Sequence, residues 1–396
     1  MADTLQQRAA VAPAAMPRRA DVVTLGLEEE LQVVDAHGAL TPHDFARGQL
    51  EVPDADGTSS REIHRCVLEV KTPVCASADA IVASLAAMRR VAAARARRQG
   101  QRVLAAGLHP FSRCPEQATW CDPAEFPRFV RLAHEYGDTV MGALAFGMHV
   151  HLGCTDAALR MPVMNALRDV LPDVLALAAS SPFSESRDTG LDSWRQRILA
   201  RLPRSGIPEA WRDEASYLAH LDRLRAVGSL RANEGSWEDL RLHHAYGTLE
   251  VRICDAVPSL DRAWLIVALL QAEVVTLEDD CRHDRLPPPL DRLLIEDNKF
   301  RATRHGMRAE LVDWRTGEPQ AMPPRLQHWL RRIAPAAARL GTLARLTTAL
   351  AAASREPASA QMQRAWRQSG GFERVVDELV ACTAAPLSAA LRPAAA

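Results

Sequence analysis

In four strand-like stretches of this chain, ionisable side chains interrupt an otherwise apolar pattern. Successive side chains of an extended strand point to opposite faces. In LGLEEELQV, Leu25, Leu27, Leu31 and Val33 therefore share one face, while Glu28, Glu30 and Gln32 share the other. FGMHVHLGC sets His149 and His151 on one side and Met148, Val150 and Leu152 on the opposite side. TLEVRIC puts Glu250 and Arg252 together, opposite Leu249, Val251 and Ile253. In VLEVKTP, Glu69 sits between apolar neighbours.

Each stretch alone has an ordinary structural explanation. Three consecutive glutamates make a solvated edge, and His-x-His makes a wet sheet face. A Glu-x-Arg pair on a strand is a surface ion pair worth about 0–1 kcal/mol. Glu69 has Lys71 or a nearby arginine as a partner. Four separate strands breaking pattern toward the same ligand chemistry point elsewhere. Clustered carboxylates repel and are costly to desolvate unless paired. Hard divalent cations answer both problems, because carboxylate oxygens with an occasional imidazole suit Mg²⁺ or Mn²⁺. Magnesium keeps waters and binds substrate phosphates, so such a site implies ATP chemistry, with Arg252 neutralising transferred phosphoryl oxygens. The sequence has no GxxxxGK[ST] loop and no GxGxxG opening a helix, which leaves metals and arginines to hold the phosphates. It also lacks the GxSxG elbow of a serine hydrolase.

The rest of the sequence sets the frame. A length of 396 residues allows one large domain or two ordinary ones. The formal net charge of −1 argues against nucleic acid or an anionic membrane as partner. Eight cysteines without a CxxC fit reduced, mostly buried thiols and a cytoplasmic location. Residues 1–20 carry no continuous apolar core and read as a disordered tail. AWLIVALLQAEVVTL, from Ala263, contains Gln271 and Glu273 and reads as a buried helix, not a membrane span. Strands are expected over 22–34, around Glu69, near 102–110, around His149 and around Glu250. Helices are expected from Ser77 or Asp79 to Gly100, over 155–179 with breaks at Pro162 and Pro172, over 260–280, and beyond Pro323. Residues 180–235 read as a long irregular region. Strands separated by helices of uneven length indicate an α+β domain with an antiparallel sheet. That domain is expected to span 21–386, with a flexible tail over 387–396.

The segments GLEEELQVVD, CVLEVKTPVC, AAGLHPF, FGMHVHLGC, LAASSPFSESRDTGLDSWR, GTLEVRICD and NKFRATRHG, in this order, resemble the glutamate–cysteine ligase type 2 family of ATP-dependent carboxylate–amine ligases. The resemblance implies a glutamine-synthetase-like catalytic fold whose central antiparallel sheet forms a cup for metals and nucleotide, with helices outside. It implies Glu28, Glu30, Glu69, His149 and Glu250 as ligands of Mg²⁺ or Mn²⁺, with Glu62 as a further acid. It gives Arg252 the transferred phosphoryl group, with Arg241 as a second catalytic arginine. Thr189, Ser193, Arg195 and His151 fall on the substrate side; a surface loop in which Asp188 and Asp192 cap a helix is the competing reading for that segment. Asn298, Arg301 and Arg304 fall near the nucleotide, against the alternative of a solvated helix face. The family's Asp-x-Arg-Pro segment appears here as Asp239-Leu240-Arg241-Leu242, followed by His243-His244, and its later aromatic-Gly pair appears as His305-Gly306.

The implied reaction joins an amino-acid carboxylate, that of the glutamate side chain, to a small-molecule amine through an acyl phosphate, by a homodimer or a monomer. The alternatives are a guanidine kinase of similar fold, a non-catalytic nucleotide- or metal-binding derivative, and a zinc amidohydrolase using His-x-His. The preponderance of glutamate over histidine favours harder ions than zinc.

Overall fold

The computed structural model describes residues 22–45, 57–231, 235–243 and 245–393. The tail expected over 1–20 and His244 lie outside the described residues.

The alternating stretches become the strands of one antiparallel sheet. Its strands are β1 (Leu25–Val34), β2 (Thr58–Arg61), β3 (Val67–Lys71), β4 (Arg102–Leu104), β5 (Gly147–Gly153), β6 (Leu240–His243) and β7 (Thr248–Asp255). The order is β6-β7-β5-β1-β3-β2, and β4 adds to the end of β1 at Gln32–Val34. Register places Glu28 opposite His149 on one side and Lys71 on the other, Glu30 opposite Glu69, and Glu250 opposite His151. The β5–β7 register shifts between Val251 and Cys254, so Arg252 and Ile253 sit in a bulge. Bulges re-aim side chains next to functional sites.

The opposite face, carrying Leu25, Leu27, Leu31, Val33, Val150 and Val251, is buried beneath helices. The first of these, α1 (Ala78–Arg98), starts at Ser77, whose hydroxyl accepts from the Ala80 N–H at 3.2 Å. Asp79, the other candidate cap, instead pairs with Arg345 at 2.7 Å and accepts from the Trp264 indole. Beyond α2 (Pro127–Tyr136), the two prolines of the 155–179 region begin helices. Pro162 lies in the first turn of α3 (Arg160–Leu167) and Pro172 in that of α4 (Leu171–Ala178). A missing N–H costs nothing in a first turn. The irregular region contains α5 (Glu214–Ala226), closed by a capping box between Asp213 and Ser216. The apolar α6 (Leu260–Arg282) is buried along most of its length, its Gln271 donating to the Val23 and Ala76 carbonyls. Among the described residues no helix is long and apolar enough to cross a membrane.

After α7 (Arg292–His305) comes a helical C-terminal layer of α8 (Met322–Arg339), α9 (Leu343–Arg355), α10 (Ala358–Ser369) and α11 (Phe372–Ala384). The tail expected from 387 is packed at its start. Leu391 is buried, its carbonyl accepts from Arg345, and the Ser388 N–H donates to Asp261 at 2.8 Å. Leu387 and Leu391 pack against the core and fix a stretch that its Ala/Pro composition leaves unmarked.

Candidate active site

The charged face of the sheet forms the floor of a cavity of about 950 Å³. Two groups of donors stand on it. Glu28, His149 and Glu250, from β1, β5 and β7, bring one ligand atom each within 4.8 Å of one another. Glu30 and Glu69, from β1 and β3, do the same with Glu62, which follows β2. The six metal-ligand positions expected from the sequence are thus brought together, in two sets of three.

Glu28, Glu30, Glu69 and Glu250 are each held in place. The Gly147 N–H donates to Glu30 at 2.5 Å and the Ser60 hydroxyl donates to Glu69. Arg241 Nε donates to Glu250 at 2.6 Å, and Arg252 bonds the same carboxylate from the bulge. Lys71 lies 3.0 Å from Glu28 and 2.8 Å from Glu69. His149 Nδ1 and His151 Nε2 face Glu28 at 3.6 and 3.8 Å, both buried and without a hydrogen-bond partner among the described residues. The other nitrogen of His151 meets the Thr248 hydroxyl at 2.9 Å.

Burial pushes the Glu30 carboxyl up to about 7, with Arg195 opposing and Glu69 adding to the rise. Burial, together with Glu69 and Glu30, pushes Glu62 up to about 8. Such values mark acids that burial strips of water beside one another. Burial also raises Glu250 and Glu28, but partners outweigh it: Arg252 and Arg241 hold Glu250 well below the usual range, and His149, His151 and Lys71 do so for Glu28. Burial, then the Arg252 charge, brings His149 down to about 3, leaving a neutral imidazole with a lone pair to offer.

The orphaned ring nitrogens and the oxygen-rich donor sets fit hard divalent cations. Around them Arg128, Arg195, Arg241, Arg252 and Lys71 line the same cavity. Carboxylates flanked by that many cations suit a polyphosphate bound together with metal.

The substrate-side candidates separate. Arg195 enters the cavity wall, its guanidinium donating to the Ile253 carbonyl at 3.3 Å while its Nε stays buried without a partner among the described residues. Gly147 makes room for it, since a Cβ there would collide with the Arg195 guanidinium and the His149 ring. Ser193 and Thr189 serve the loop itself. Ser193 donates to Asp255 at 2.8 Å, and Thr189 donates to the Pro182 carbonyl at 2.9 Å. Asp255 also accepts from the Ser180 N–H and the Ser181 hydroxyl, tying this loop to the end of β7. Asp192, a candidate helix cap in the competing reading, instead takes a bond from Arg308 at 2.8 Å.

The nucleotide-side candidates are not at the cavity wall. Asn298 is buried and spends both ends of its amide on the Val312 backbone, Arg301 pairs outward with Asp297 at 2.7 Å, and Arg304 is exposed. The helical phase of α7 turns their neighbour Lys299 toward the site, where it meets the cavity residue Asp239 at 2.6 Å. Lys71, Arg128 and Asp255 have no part in the sequence-derived set. Arg128 carried no signal among so many arginines, whereas Lys71, two residues from Glu69 on the same strand face, carried one.

A profile of the family described as glutamate–cysteine ligase family 2 matches residues 24–378. A Rubrobacter xylanophilus protein named "Putative glutamate–cysteine ligase 2-3" is 35% identical over 366 residues, covering 91% of this chain and 97% of its own. A Rhodospirillum rubrum protein named "Putative glutamate–cysteine ligase 2" is 34% identical over 387 residues, covering 94% and 98%. Among solved structures, the glutamate–cysteine ligase of Francisella tularensis in complex with AMP superposes with a TM-score of 0.65 at 13% identity, covering 93% of this chain and 91% of that one. The bifunctional glutathione synthetase of Pasteurella multocida gives 0.64 at 17% identity, covering 92% of this chain and 52% of that longer one. These likenesses establish the glutamine-synthetase-like α+β fold expected from the sequence.

Proposed function

The chain belongs to glutamate–cysteine ligase family 2, a family of ATP-dependent carboxylate–amine ligases, and on that premise we propose that it joins the side-chain carboxylate of glutamate to an amine, cysteine among the acceptors. The observation that carries the reading is the convergence of six metal-type donors in two triads, five of the six lining one cavity that arginines also line.

The triads Glu28–His149–Glu250 and Glu30–Glu62–Glu69 would hold Mg²⁺ or Mn²⁺, which when bound supply charge neutralisation and alignment to phosphate oxygens. The protein's own groups do the rest. Arg252, re-aimed by the bulge, and Arg241 beside it stand ready to neutralise the transferred phosphoryl group. Arg195, which lines the cavity, would meet the substrate carboxylate. A carboxylate oxygen attacks the γ-phosphorus, ADP leaves with the bridging oxygen, and an acyl phosphate forms. The amine nitrogen then attacks that carbonyl, phosphate departs, and the nitrogen gives up a proton. Both steps depend chiefly on alignment, which a rigid sheet floor supplies. The family resemblance further supports one catalytic domain, expected over 21–386 and continued by the packed stretch to Leu391, in a cytoplasmic enzyme that works as a monomer or a homodimer.

Purified protein is incubated with Mg²⁺, ATP, glutamate and a panel of amines including cysteine, and products are followed by ADP release and mass spectrometry. ADP is expected only when acid and amine are both present, together with the amide. ADP formation with a phosphorylated guanidino product and no amide would replace the ligase with a kinase. Nucleotide binding without turnover across the panel would leave a non-catalytic derivative.

A further inference from the structure

Of the 48 basic residues Lys and Arg in this chain, only Lys71 and Lys299 are lysines. An ammonium in so arginine-rich a protein calls for a reason, and Lys71 stands where one is visible. It lies on the same face of β3 as Glu69 and directly across from Glu28 on β1. Its Nζ is 3.0 Å from Glu28 and 2.8 Å from Glu69, one carboxylate from each donor triad. The strand end that carries it is pinned, because the Leu27 N–H donates to the Thr72 hydroxyl at 2.9 Å.

An ammonium is a compact point charge with donors it can turn in several directions, whereas a guanidinium is a flat fork. Lysine therefore suits a position where one cation must bridge two carboxylates from different strands, as a metal ion would. Resting on the metal-site reading above, we infer that Lys71 is a built-in cation that spans the two triads and competes with divalent ions for Glu28 and Glu69. While the triads hold no metal it keeps these two acids in position. Metal loading displaces it, and the freed ammonium then has anionic groups of bound nucleotide or substrate as its remaining partners in the cavity. Lys71 in this way sets how tightly the empty site takes metal and links metal loading to the binding of the anion.

The scarcity of lysine makes the test direct. Protein labelled with ¹³C at lysine Cε gives two side-chain signals, and Lys71→Arg assigns them by removing one. Titrating Mg²⁺ into the labelled wild-type protein is expected to move the Lys71 signal and leave that of Lys299 in place. In parallel, Mn²⁺ binding is measured by electron paramagnetic resonance. Removing the charge that competes for Glu28 and Glu69 leaves both carboxylates to the metal, so Lys71→Met is expected to tighten Mn²⁺ binding by at least about tenfold. Lys71→Arg, which keeps the charge but not the bridging geometry, is expected to fall between wild type and Lys71→Met. A still Lys71 signal while Mn²⁺ binds, or equal Mn²⁺ affinity in wild type and Lys71→Met, overturns the inference and leaves the ligase reading untouched. If Lys71→Met does not fold, the wild-type spectrum decides alone. Wild-type protein that takes up no Mn²⁺ at millimolar concentration overturns the metal sites and this inference together, whereas Mn²⁺ binding and a moving Lys71 signal without amide formation overturn only the ligase.

Discussion

Glu29, the middle residue of the Glu28–Glu30 run, points away from the cavity and is fully buried against α1. Arg89 meets it there, with Nε donating at 2.8 Å, and the same guanidinium donates to the carbonyls of Val257 and Pro258 at 2.7 Å each. Both side chains are almost sealed from water, at 0% and 2% exposure. Replacing Arg89 by Met leaves a buried carboxylate without a counter-charge and takes a donor from three carbonyls, those of Val257, Pro258 and Thr383. Removing one partner of a buried pair costs about 3–5 kcal/mol. With about 4 kcal/mol lost, and a Tm shift of about 2 °C per kcal/mol in a large domain, the variant should melt about 8 °C lower. Glu29→Met with Arg89→Met removes both charges and should recover most of that loss, as apolar replacements of whole buried pairs do. Glu30→Gln, one residue along but on the cavity face, should abolish ligation while leaving Tm near wild type. The assay is thermal and urea denaturation of the four proteins beside ADP release. An Arg89→Met protein within about 1 kcal/mol of wild type would refute the claim that alternate glutamates in this run serve structure and chemistry separately.

Other outcomes follow from single contacts. His109 Nδ1 accepts from the Ser112 N–H at 2.9 Å, its Nε2 lies 2.8 Å from the Gly38 carbonyl, and burial brings its pKa down from 6.5 to about 4. The unfolded chain takes up this proton below pH 6.5 and the folded one only near pH 4, so stability falls as pH drops through that window, by about 3 kcal/mol in all. His109→Gln should flatten this part of a urea-denaturation series between pH 7 and 4, and an unchanged slope would count against it. Arg252→Lys, which loses the planar fork, should lower kcat by about 1000-fold in a folded protein, and a loss under tenfold would remove Arg252 from phosphoryl transfer. Gly147→Ala should raise KM for glutamate by displacing Arg195, with KM for ATP changing less; an unaltered glutamate KM would contradict the carboxylate role of Arg195.

Much of the floor of the site was readable because strand alternation is rigid. Once Glu28 is assigned to a face, Glu30, and by pairing His149, Glu69 and Glu250, follow it. Alternation says nothing about what covers the other face, so Glu29 read as part of a solvated edge until α1 brought Arg89 against it. On helices the same confidence fails. A residue turns about 100° from its neighbour, so the segment 298–304 sends Lys299 toward the site while Asn298 goes to Val312 and Arg301 goes outward. In the 180–195 loop, motif similarity located the right segment but not the division of labour within it. Asp255, at the far end of β7, decides that Ser193 holds the loop and leaves Arg195 at the cavity.

The central claim is that acids from remote strands gather around hard ions that grip a triphosphate. Crystals grown with Mn²⁺ and a non-hydrolysable ATP analogue, measured at a wavelength where manganese scatters anomalously, test it most directly. The expected map has peaks between Glu28, His149 and Glu250 and between Glu30, Glu62 and Glu69, both touching phosphate oxygens. Nucleotide bound with no anomalous peak at either triad would contradict it.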